Sequence, residues 1–174
     1  MKLKLDSLIA PLFVLIWSTG FVIARLAMPY VEPATFLFWR FAGVLMAMAC
    51  LSLVWRITWP SWSQMKHIAV AGILLQFGYL LGVWFAVRLG MTAGLVAIIV
   101  GLQPILTAWF AAWVSERVTG RQWIGLGFGF AGVALVVAEK IGFAHIPLFS
   151  YVLAFGALLS ITFGTLYQKK FCPV

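Results

Sequence analysis

The sequence predicts an all-α integral membrane protein of six transmembrane helices with both termini in the cytoplasm. Three observations carry this reading. Of 174 residues, 64% are hydrophobic and 9% are charged, with a mean hydropathy of +1.09, whereas soluble domains carry about 25% charged residues. The apolar residues fall in runs about 20 residues long, enough to cross roughly 30 Å of hydrocarbon at 1.5 Å per residue. Eleven of the twelve cations sit between the runs, eight on one side and three on the other, and Arg40 alone lies within a run.

The first helix is expected over residues 7–24, with Lys2 and Lys4 before it and Arg25 after it. It is longer than the apolar core of a signal peptide and no small-x-small cleavage site follows, so it reads as a retained helix. The second is expected over 34–55, with Pro33 in its first turn, where a missing N–H costs nothing. The third spans 65–89, the fourth 92–114, the fifth 122–138 and the sixth 148–167. The fifth is short and reaches both surfaces only by snorkelling or local thinning of the bilayer. The runs are too long, and too poor in alternation, for barrel strands. Trp59, Trp62 and Trp123 fall at helix ends, as an interfacial aromatic belt requires.

Lys2, Lys4, Arg56, Lys66, Arg117, Arg121, Lys169 and Lys170 collect on one side, and Arg25, Arg88 and Lys140 on the other. The richer side is cytoplasmic. The net charge of +8 does not point to nucleic acid, because the longest cation run is Lys169-Lys170 and the rest stand singly between apolar runs. Cys50 and Cys172 have no metal-ligand spacing and no evident partner, which leaves them as packing and tail residues.

Several pieces together resemble the EamA domain of the drug/metabolite transporter superfamily. They are Trp17-Ser18-Thr19-Gly20-Phe21, Trp39-Arg40-Phe41, Pro104 in the fourth helix, Glu116-Arg117 near its end, and Arg121 to Gly125 opening a glycine-rich fifth helix. The resemblance implies one five-helix repeat over residues 8–138, plus the first helix of a second repeat over 147–170. By that resemblance the chain is expected to be incomplete at its C-terminus, leaving the sixth helix without its partners. It implies part of a secondary transporter of the cytoplasmic (inner) membrane that moves amino acids, metabolites or toxic compounds. The alternative is a non-transporting fragment or an assembly partner. Lipid, a small organic solute, and a second half-transporter or a homodimer are the implied partners, with no cofactor and no nucleic acid.

Candidate cavity residues follow from polarity in apolar surroundings. Arg40 lies about 9 Å into the second helix, where a charge is costly unless it meets water, a partner or the interface. It faces a cavity, or it snorkels outward or clamps helix-end carbonyls. Gln76 and Tyr79 are three apart and share a face. Gln103 precedes Pro104, which breaks the helix ladder and frees a carbonyl. Trp17, Ser18 and Thr19 add a ring and two hydroxyls in mid-helix. These residues line one weakly polar aromatic cavity, or they serve interhelical hydrogen bonding and packing. Glu116 and Arg117 hold the cytoplasmic turn, or form a solvated ion pair with their surroundings. Of the two spaced glycine pairs, Gly78/Gly82 and Gly125/Gly129, the denser fifth-helix cluster is expected to be the packing face. Asp6, Glu32, Glu116 and Glu139 all fall at or beyond the expected helix ends, so no carboxylate is placed for a proton relay in mid-membrane. No nucleophile–base pair, zinc motif or phosphate loop suggests an enzyme.

Overall fold

A computed structural model describes residues 2–55, 59–111, 118–141 and 146–172. These residues form six helical rods and no strand. They are α1 (Lys2–Ala27), α2 (Pro33–Trp55), α3 (Trp62–Arg88), α4 (Ala93–Trp109), α5 (Gly120–Ile141) and α6 (Leu148–Phe171). Three of them, α2, α3 and α6, are long and apolar enough to cross a membrane, and Pro11–Ala27 and Ala93–Trp109 are shorter apolar helices. Outward-facing side chains such as Leu45, Leu53 and Phe128 stand exposed, as helices bathed in lipid require.

Two helices start earlier than hydropathy indicates because polar caps extend them. Ser61 accepts from the Gln64 amide at 3.4 Å while Gln64 Oε1 accepts from Ser61 N–H at 3.0 Å. This reciprocal box satisfies amides that have no intrahelical partner and starts α3 at Trp62 rather than residue 65. Thr119 and Gln122 repeat the arrangement, with distances of 3.4 and 2.8 Å, and start α5 at Gly120.

The fourth rod is not one continuous α-helix. It is α-helical over Ala93–Val100 and Gln103–Trp109, and the chain turns at Gly101 and Leu102. Pro104 has no N–H for the carbonyl of Val100, so the backbone tightens instead, with Leu102 N–H on Ile99 O at 3.1 Å and Ile105 N–H on Leu102 O at 3.0 Å. Regular helix stops at Trp109, short of the expected 114, and residues 112–117 lie outside the described segments.

A π-turn over Ile73–Gly78 interrupts α3. Tyr79 N–H reaches Leu74 O, and the Ser160 hydroxyl of α6 donates to the same carbonyl at 2.8 Å. A widened turn of this kind persists when a neighbouring side chain supports it.

Among the described residues the sixth helix is the best packed, and its partners are helices of the segment expected to form the first repeat. It lies along the whole of α3 and touches both halves of α4. Ser150, Ala154, Ala157, Leu158, Ile161, Thr162 and Leu166 are buried along one face at helical spacing. Glycines make the approach possible. A Cβ added at Gly82 would stand 2.8 Å from Leu153 O and 2.8 Å from Ala157 Cβ, and one at Gly164 would stand 2.9 Å from Leu75. Gly78 lies directly against Ser160. At Gly125, Gly127, Gly129 and Gly132 of α5 an added Cβ would meet nothing within 4 Å. The packing face is therefore the Gly78/Gly82 pair, and not the fifth-helix cluster. Density of glycine was a poor guide, because close approach needs a neighbour as well as a missing side chain.

Candidate functional site

The largest cavity, 760 Å³, runs between α1, α2, α3 and α6. Its floor is an aromatic pair, Phe36 stacked on the buried Trp84 with centroids 4.5 Å apart and an interplanar angle of 23°. The π-turn carries Gln76 to its wall, and the α-helix that resumes at Tyr79 carries the phenol. Trp17 Nε1 donates to Tyr79 Oη at 3.3 Å, and the Trp17 ring meets Phe13 edge-on at 4.9 Å.

Among the described residues Arg40 is the one charged side chain on this wall. It lies near enough to Tyr79 for its charge to act on the phenol. Among the described residues no carboxylate pairs with it and no carbonyl holds it. The clamp on helix-end carbonyls is therefore not formed there, and the guanidinium borders an open space. A cation beside a phenol, an amide and aromatic faces can receive an anionic or hydrogen-bond-accepting group while the rings contact apolar parts of the same molecule.

A second cavity of 630 Å³ lies between α1, α4, α5 and α6. Gln103 and Pro104 line it with Thr107, Gln122 and Thr165, and among the described residues no charged one does. Gln103 Nε2 donates to Thr165 Oγ1 at 3.1 Å, and Thr165 Oγ1 donates to Ile161 O at 2.7 Å. The interhelical hydrogen bond weighed for Gln103 is thus present, on a residue that also borders a cavity.

The residues expected around one cavity are therefore distributed over two, with Trp17 on the wall of both. Arg40, Gln76 and Tyr79 stand together, and Gln103 stands apart from them behind the Trp17 ring. Ser18 joins neither wall: it is exposed, and its hydroxyl donates back to Leu15 O at 2.9 Å. Thr19, which donates to Ile16 O at 2.6 Å, reaches the first cavity instead. Glu116 and Arg117 lie outside the described residues.

Three contributors were not foreseen. Gln168 borders the first cavity, and its sequence signal, an amide just ahead of Lys169-Lys170, reads as a helix end. Thr165 lies inside the expected sixth helix, where a lone hydroxyl carries little signal. The Phe36–Trp84 floor joins residues far apart in sequence and has no local signal.

The family model for the EamA-like transporter family matches residues 7–138. The chain is 30% identical over 171 residues to the uncharacterized transporter YvbV of Bacillus subtilis (strain 168), covering 94% of this chain and 53% of that protein. It is 26% identical to a "Probable amino-acid metabolite efflux pump" of Salmonella typhimurium and 24% identical to one of Escherichia coli, in each case over 95% of this chain and 54% of the relative. The chain spans about half the length of these curated relatives. No solved structure matches it significantly. With its apolar rods and a family match over most of its length, this multi-pass membrane protein belongs to the EamA-like transporter family.

Proposed function

We propose that the chain is part of a secondary carrier moving small organic solutes across the cytoplasmic membrane, with the Arg40 cavity as a solute-binding surface. The observation that carries this reading is the Arg40 guanidinium, without a carboxylate partner among the described residues, on a cavity of 760 Å³ otherwise lined mainly by aromatic, aliphatic and amide side chains. Arg40 is exposed rather than buried, and a cation at membrane depth costs about 2.5–3.5 kcal/mol or more unless it meets water, a polar partner or the headgroups. The relatives named as amino-acid metabolite efflux pumps support solutes bearing a carboxylate, and Arg40 is suited to that group. Trp17, Gln76 and Tyr79 orient the solute, while Gln103 and the broken rod at Pro104 form a second, polar station. Discontinuous helices with freed backbone groups serve such stations in carriers. Family members are transporters rather than enzymes. All six helices cross the bilayer in this reading, with both termini in the cytoplasm and Glu116-Arg117 at an inner turn.

The test is flux of amino acids and their metabolites in cells producing the natural protein. Arg40→Ala is expected to lower flux at least tenfold with membrane insertion unchanged. Flux equal to that of the unaltered protein removes Arg40 from the solute path.

A further inference from the structure

A third cavity, 370 Å³, sits away from the proposed solute path, where the end of α1 meets the α3–α4 turn. Arg25 and Arg88 line it, with Met28, Met91 and the backbone of residues 90–94. No carboxylate lines it among the described residues. Arg88 Nη1 donates to Met28 O at 2.8 Å and so ties the two helix ends together. That uses one of five guanidinium N–H groups. Arg25 has no partner among the described residues, and both arginines are exposed. Gly90, at φ +100°, turns the chain from α3 toward α4. At Gly94 an added Cβ would meet nothing within 4 Å, so the space over this backbone is open.

Each arginine lies in the last turn of its own helix, where a cation complements the helix dipole. That accounts for one cation per helix. It does not account for two converging on one cavity that no carboxylate lines among the described residues. Guanidinium groups pair with the oxygens of phosphate and carboxylate through parallel N–H donors. The cavity lies at a helix end, the level of lipid headgroups, and Met28 and Met91 give it an apolar side.

We propose that this cavity binds an oxyanion, a phosphate or carboxylate group, held by Arg25 and by the free donors of Arg88. A phospholipid headgroup and a free anion share that chemistry, and two measurements separate them. In the first, the detergent-purified protein is mixed with phosphatidylglycerol or with a diacylglycerol lacking phosphate, and retained lipid is counted by native mass spectrometry. In the second, the thermal midpoint is followed against inorganic phosphate, with chloride as the control. Selective retention of phosphatidylglycerol identifies a headgroup site. A phosphate-dependent rise in midpoint without retained lipid identifies a free-anion site.

In either case Arg25→Gln is expected to weaken binding roughly tenfold, the size of one charge-assisted hydrogen bond. Gly94→Glu, which places a carboxylate in the open space, is expected to weaken it at least as much. Arg25 carries no structural bond, so its variant reads binding rather than folding. Equal retention of both lipids with no phosphate effect overturns the proposal. Binding by Arg25→Gln at the unaltered level overturns it as well.

Discussion

The α3–α6 interface and the open face of α5 carry the same kind of sequence and behave in opposite ways. Both present glycines four apart. On α3, Gly78 and Gly82 meet Ser160 and the Leu153–Ala157 turn of α6 at distances no side chain could share. On α5 the corresponding positions face open space. Without water in the hydrocarbon there is little hydrophobic drive between helices, so packing and hydrogen bonds decide which rods adhere. The α3–α6 seam has both. Ser160 bonds Leu74 O across it, and at its far end His67 Nδ1 lies 2.8 Å from Tyr167 Oη, with the His67 ring stacked on Phe171 at 5.1 Å. Spaced glycines permit an interface, and a partner with small residues and a donor makes one.

The strongest way to break this comparison is a matched pair of substitutions. Gly82→Ala drives a methyl toward Leu153 O, a backbone atom that cannot rotate aside. Overpacking of this kind costs about 1–3 kcal/mol. Gly129→Ala meets nothing and gains helix propensity, so it is expected to be neutral or stabilising by up to about 1 kcal/mol. Thermal unfolding of the detergent-solubilised protein checks both. Equal losses at the two positions would erase the distinction between the faces.

A smaller effect is expected at Trp17, where the comparison becomes one of two cavities rather than two faces. The ring is 37% exposed, so Trp17→Ala should cost less than the roughly 3–5 kcal/mol of a fully buried ring. Its main consequence is geometric, because the 760 and 630 Å³ spaces lose their shared wall. With Cys50 and Cys172 replaced by Ser, a cysteine substituted at Ala108 on the second cavity should react several-fold faster with a bulky maleimide once Trp17 is Ala. Trp17→Phe keeps a ring there and loses only the bond to Tyr79, so it should leave the rate near that of the parent. Indistinguishable rates for all three proteins would show that Trp17 is not a partition.

The rods were legible because hydropathy is a sum over about 20 residues, which tolerates local detail. Their starts were less so. Ser61-x-x-Gln64 and Thr119-x-x-Gln122 are readable capping boxes, but the first turns they begin are polar enough to fall outside an apolar window. Pro104 announced its break correctly, since a missing N–H is a property of one residue. Much of the polar lining of the two cavities was legible as polarity out of place: Arg40, Gln76, Tyr79 and Gln103 all reach a cavity wall. Its division was not, because it depends on where the Trp17 ring lies relative to α4. Ser18 and Thr19 are adjacent hydroxyls whose fates differ by one step of helix rotation. The π-turn had no local signature either, as one of its supports lies in α6, far along the chain.

That support yields the smallest predicted effect. Ser160→Ala removes the hydroxyl that donates to Leu74 O and leaves the Gly78 contact relaxed. Interhelical hydrogen bonds in membranes average about 0.6 kcal/mol, so the loss of stability should be slight. Its effect on geometry should exceed its effect on stability. Leu74 O keeps only the Tyr79 amide, and the widened turn can then tighten to an ordinary α-helix. Tightening shifts the register between Gln76 and Tyr79, and with it the Tyr79 hydroxyl that receives the Trp17 N–H. In cells producing the natural protein, Ser160→Ala should therefore lower flux more than its stability loss explains, and Ser160→Thr should restore it by returning the donor. If Ser160→Ala transports like the unaltered protein, the π-turn is held by α3 itself and the α6 donor is incidental.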